Sequence, residues 1–205
     1  MSLYKNKYRI ESTRLDVWDY SKYGYYFVTI CTKDKRSYFG KAVDENISLN
    51  IIGEKVKEIW LEIRNRFTDV ELDDFVIMPN HLHGIIFINR DSINRVSTNN
   101  RVSTKTPFIK NNPMYSELSL SKIIRWFKGR TTYEIHHTLQ FSDFAWQPRY
   151  YEHIIRNEKS FQKILEYIHF NPLQWAVDEE NPAGIKCRKL KDVPELPSNE
   201  NNLIT

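Results

Sequence analysis

Residues 72–88 read "LDDFVIMPNHLHGIIFI", and this stretch restricts the fold more than any other part of the chain. Two runs rich in β-branched and aromatic residues flank Pro79-Asn80, with nothing else between them. Proline presets φ and asparagine tolerates tight-turn geometry, so the runs fold back on one another as antiparallel neighbours. A strand repeats every second residue. That sends Leu82, Ile86 and Ile88 to one face, and His81, His83, Ile85 and Phe87 to the other. Two imidazoles therefore stand side by side at the head of a strand. Such a pair is either an accident of packing or most of a metal site.

The flanking patterns extend this hairpin into a domain. "YGYYFVTICT", Tyr23–Thr32, is aromatic, β-branched and alternating, and reads as a strand. After a polar, glycine-containing passage, "LNIIGEKVKEIWLEIRNRF" places Ile52, Val56, Ile59, Trp60, Ile63 and Phe67 on one helical stripe. A second helix is expected over roughly 117–137, buried through Leu120, Ile123, Ile124 and Phe127, and a fourth strand around 149–155. Asn157 then caps a third helix, "EKSFQKILEYIHFN", which Pro172 ends. The order matches an α+β, ferredoxin-like split βαβ: a four-stranded antiparallel sheet, two helices on one face and an added helix for the other. Residues 1–178 form the expected single domain. It carries a mobile insertion at about 90–115, where "NRVST" occurs at 94–98 and again at 100–104, and 179–205 form a polar tail.

Composition bounds the class of function. With 205 residues, 40% of them hydrophobic and 14% aromatic, the chain can bury one substantial core. Cys31 and Cys187 fit no metal or redox spacing and point to a reducing interior. No run reaches the roughly 18 apolar residues of a membrane span, and "MSLYKNKYRIESTR" has no signal core, so a cytoplasmic protein without membrane contact is expected. A net charge of +4 and a pI near 8.9 lean towards anionic partners. "KNKYRIESTR" and "SKIIRWFKGR" mix cations with aromatics, which suits phosphates and stacked bases, although a solvated helix face has the same pattern. Lys122, Arg125, Lys128 and Arg130 are candidate contacts to a DNA backbone, with Arg149 and Arg156 nearer the chemistry.

On the third helix, Phe161, Ile164, Leu165 and Ile168 form the apolar stripe, and Tyr167 and Asn171, four apart, share one flank of it. His169 lies nearly opposite Tyr167. The face bearing His81 and His83 thus meets one phenol and one amide oxygen. Imidazoles plus a neutral oxygen, with open positions, suit Mg²⁺ or Mn²⁺; zinc is an alternative, though no cysteine or carboxylate in this pattern completes a closed tetrahedron. A phenol with a free pKa of about 10 is roughly one part in a thousand ionised at neutral pH, so its attack needs assistance. Covalent attack would conserve bond energy for resealing, giving a phosphotyrosine and a free hydroxyl. Tyr150 and Tyr151 are rival phenols on spacing alone.

"MPNHLHGII", "WDYSKYGYYFVTICT" and "WQPRYYEHIIRNEKSFQKILEYIHFNP" together resemble the single-tyrosine HUH endonucleases of the transposase class, and within it the REP-associated tyrosine transposases. The similarity covers about residues 10–178. It implies His81 and His83 as metal ligands, Tyr167 as nucleophile and Asn171 as third ligand, where minimal insertion-sequence relatives carry Gln. It further implies Mg²⁺ or Mn²⁺, single-stranded or hairpin DNA as substrate, and either a monomer or a homodimer that exchanges helices. Two other functions fit the same residues: a catalytically silent hairpin-DNA-binding regulator, and a metal-dependent hydrolase that activates water.

Overall fold

The computed structural model describes residues 23–43, 45–89, 118–178 and 180–182. The basic arm at 5–14, the duplicated stretch near 90–115, Cys187 and the tail beyond 182 lie outside the described residues. Six strands and three α-helices follow in the order β1 (Gly24–Cys31), β2 (Gly40–Val43), β3 (Asn46–Leu49), α1 (Ile51–Arg66), β4 (Val70–Ile77), β5 (His81–Ile88), α2 (Leu120–His137), β6 (Tyr151–Ile155) and α3 (Glu158–Phe170). Four strands make one antiparallel sheet in the order β4-β5-β1-β6. This is the expected split βαβ plan. β2 and β3 form a separate hairpin inside the passage that the sequence shows only as polar.

The alternation of strand residues sorts the two faces as expected. Tyr26, Val28, Ile30, Leu82, Ile86 and Ile88 pack with α1 and α2 into the larger core. On the reverse face, Phe27, Ile85 and Ile155 pack with Ile164 and Ile168 of α3. Gly84 lets the sheet and α1 approach closely, since a Cβ there would come within 2.5 Å of the Trp60 ring. Each helix starts at a side-chain cap. Asn50 accepts from the amides of Ile52 and Gly53, Ser119 from Lys122, and Asn157 from Ser160.

Pro172 ends α3, but Asn171 keeps helical angles (φ −57°, ψ −41°) and the chain continues as a 3-10 turn over Pro172–Val177. Proline lacks an N–H and so breaks the α-helical ladder, while its fixed φ still suits a tighter helix. The turn carries Asp178 and Glu180 back towards the start of β5. No helix among the described residues is long and apolar enough to cross a membrane.

Candidate functional site

The Pro79-Asn80 turn does more than reverse the chain. Asn80 is 1% exposed and its side-chain amide donates to the carbonyls of Lys35 (2.9 Å) and Glu180 (2.6 Å). Those two acceptors orient the group, leaving Oδ1 to face His81 Nδ1 at 2.8 Å. His81 must donate from Nδ1, so its Nε2 presents a lone pair. That lone pair points at His83 Nε2, 2.9 Å away. His83 Nδ1 meets the Thr29 hydroxyl at 2.8 Å, a partner able to donate or accept. The two Nε2 atoms are compatible in only two ways: His83 carries its proton there, or a cation lies between them.

Burial settles the charge of both rings. Desolvation, with Lys35 adding to it, pushes the His81 pKa down to about 3. Burial, then the neighbouring His81, holds His83 well below its usual value. Both imidazoles are neutral at neutral pH, the form that ligates metals. Two donors at right angles on one octahedral ion, about 2.1 Å from it, lie about 3.0 Å apart, which the observed separation fits. The buried Oδ1 of Asn171 has no hydrogen-bond partner among the described residues, an orphaned acceptor of the kind an ion would satisfy.

From α3, the Tyr167 hydroxyl reaches within 3.3 Å of His83 Nε2. Phe27, fully buried, stacks on His83 (5.5 Å, 19°) and meets the Tyr167 ring edge-on (6.0 Å), fixing the two relative to each other. Tyr150 packs into the opposite core and cannot share this site. Tyr151 opposes Thr29 on the histidine face and lies edge-on to Phe27, and burial raises its pKa. His169 turns away to Asp74, at 3.1 Å.

One expectation needs correction. No carboxylate was anticipated beside the histidines, yet Asp178 Oδ2 lies 4.0 Å from His81 Nε2. The three donor atoms of His81, His83 and Asp178 all fall within 4.8 Å of one another. Periodicity could not find Asp178, because the 3-10 turn that returns it has no amphipathic signature. Also unforeseen is His153, which opposes Phe27 on this face and whose buried Nδ1 has no hydrogen-bond partner among the described residues. The basic candidates are divided by the sheet. Lys122, Arg125 and Arg130 project from α2, on the layer opposite the histidines. Arg130 pairs with Glu134 and Glu62, and Lys128 donates to the carbonyls of Gln147 (2.7 Å) and Arg149 (2.9 Å). Lys122, Arg125, Arg149 and Arg156 are exposed.

Residues 107–171 match the family model described as "Transposase IS200 like". An uncharacterized protein of Haemophilus influenzae is 39% identical over 168 residues, 82% of this chain and 91% of that one. A second Haemophilus influenzae protein, named "Putative REP-associated tyrosine transposase", is 26% identical over 159 residues, covering 76% and 74% of the two chains. Among solved structures, a REP-associated tyrosine transposase bound to a REP hairpin shares the fold. Its TM-score is 0.51 at 20% identity, over 81% of this chain and 74% of that one.

Proposed function

We propose, from the likeness of residues 107–171 to the IS200-like transposase model and of the chain to a putative REP-associated tyrosine transposase, that this is a transposase of that kind: a metal-dependent single-strand DNA endonuclease and strand-transferase acting on hairpin DNA. The observation that carries this reading is the 3.3 Å approach of the Tyr167 hydroxyl to His83 within one chain. The Tyr167 ring packs on the smaller core, but simple DNA binding has no use for its hydroxyl beside paired neutral imidazoles.

In this mechanism His81 and His83 would hold a divalent ion, Mg²⁺ or Mn²⁺, with the Asn171 amide oxygen as third protein ligand. Bound there, the ion would polarise a phosphoryl oxygen and contribute several kcal/mol of transition-state stabilisation. Asn80 sets the His81 tautomer, Thr29 holds the His83 ring, and Phe27 keeps the phenol at a fixed distance from them. Tyr167 Oη attacks the scissile phosphorus. A P–O bond to tyrosine forms, the P–O bond to the leaving nucleoside breaks, and the proton lost by the phenol reaches the departing oxygen through solvent, so that the strand leaves with a free hydroxyl. Reversal by another hydroxyl reseals DNA without external energy. Exposed Lys122, Arg125, Arg149 and Arg156 are assigned to phosphates. The site needs no second chain to bring Tyr167 to His83.

A labelled hairpin oligonucleotide with Mn²⁺ tests the proposal. A protein–DNA adduct that survives denaturation is expected, and Tyr167→Phe should abolish it while hairpin affinity stays within about twofold, since one hydroxyl is a small part of a phosphate-dominated interface. An undiminished adduct in that variant would refute the assignment. Cleavage without an adduct would instead indicate activated water, and binding without cleavage under any divalent metal would indicate a silent regulator.

A further inference from the structure

The chain after α3 returns to the histidines through a set of mutually dependent contacts. Trp175 lies against His81, with ring centroids 6.1 Å apart. The Glu180 carbonyl accepts from Asn80, and its carboxylate pairs with Lys35 at 3.3 Å. The Glu180 amide donates to Asp178 Oδ1 at 2.6 Å, which fixes that carboxylate and turns Oδ2 towards His81. Asn80 thus holds His81 on one side and this returning segment on the other.

Donors on one six-coordinate ion lie between about 3 Å apart when adjacent and about 4.3 Å apart when opposite. The His81–His83 separation of 2.9 Å and the His81–Asp178 separation of 4.0 Å lie close to that range, and the three donors, all within 4.8 Å of one another, need to draw in by about half an ångström to share one ion. The donor set converges although its members come from opposite ends of the fold. Resting on the metal-site reading above, we propose that Asp178 is a further ligand of the divalent ion. Loading the ion thereby fastens the segment from Pro172 to Asn181 onto the ends of β1 and β5. Metal occupancy and the order of this segment are one linked equilibrium.

Mn²⁺ titration of the full chain by calorimetry, beside hydrogen exchange with and without Mn²⁺, tests this. Asp178→Asn keeps the Oδ1 acceptor for Glu180 and should weaken Mn²⁺ binding at least tenfold, with His83→Ala as the reference for a destroyed site. In the parent chain Mn²⁺ should slow exchange at the amides of Gln174, Asp178 and Asn181, which are bonded within this segment. In Asp178→Asn that added protection should vanish, while the apo unfolding midpoint stays near that of the parent. If Asp178→Asn binds Mn²⁺ within twofold of the parent while His83→Ala does not, the inference fails and the metal site stands. If the parent binds no Mn²⁺, or His83→Ala binds equally well, the metal-site reading itself fails.

Discussion

Asn80 looks like an ordinary turn residue, but its side chain carries three contacts with consequences. It sets the tautomer of His81, anchors Lys35 and clasps Glu180. Asn80→Ala should therefore reduce Mn²⁺ affinity by about 10- to 100-fold, the usual loss when a group orienting a ligand is removed. Leaving two carbonyls and an imidazole N–H without that partner should also destabilise the chain by about 1–3 kcal/mol. An unchanged Mn²⁺ isotherm would contradict this account of the turn. The histidines themselves make stability depend on pH. Unfolded imidazoles titrate near 6.5, whereas burial keeps His81 and His83 neutral well below that, so beneath pH 6.5 the unfolded chain binds more protons. Stability must then fall on acidification, by up to about 1.4 kcal/mol per pH unit for each ring and about 2 kcal/mol in all between pH 6 and 5. Urea unfolding across pH 7 to 5 should show this slope, and replacing both rings by glutamine should flatten it. A slope that survives that double replacement would assign the effect elsewhere.

The elements divide their labour across the sheet. β5 bears the histidines on one face and, at Gly84, admits the Trp60 ring on the other. Gly84→Ala drives a methyl into that ring. About 1–3 kcal/mol of overpacking is expected, visible as a lowered unfolding midpoint, and Trp60→Phe should restore part of it by freeing the space. A neutral Gly84→Ala would mean that α1 can slide on the sheet. α3 was legible from its own stripe: Ile164 and Ile168 are buried, and Tyr167 sits on the margin facing His83. The hairpin of β2 and β3 was not legible. Its strands are 4 residues each, too short for alternation to stand out from a polar loop. The return of the chain through the 3-10 turn was hidden for a related reason, since no apolar repeat marks it.

Across the whole molecule, DNA affinity should follow which cations remain available to phosphate. Arg130 is paired with two carboxylates and Lys128 with two carbonyls, whereas Arg125 lies exposed on α2. Arg125→Ala should lower the salt dependence of hairpin binding by about one phosphate contact, while Arg130→Ala leaves it unchanged. Binding isotherms over a range of salt decide this, and equal effects from the two would place the DNA differently. What the amino-acid sequence determined unaided was periodic or local: strand and helix faces, helix caps, the tight turn, and the spacing that puts two imidazoles on one side and Tyr167 on a helix flank. Those features repeat every two or 3.6 residues, or depend on neighbours within a few positions, so they survive in one dimension. Only the tertiary structure decided that Asp178 meets His81, that Asn80 spans 100 residues to hold Glu180, and that the helix carrying Lys122, Arg125, Lys128 and Arg130 lies across the sheet from the histidines. Such contacts join segments remote in sequence, and their partners are chosen by how the whole chain packs rather than by any pattern either segment carries.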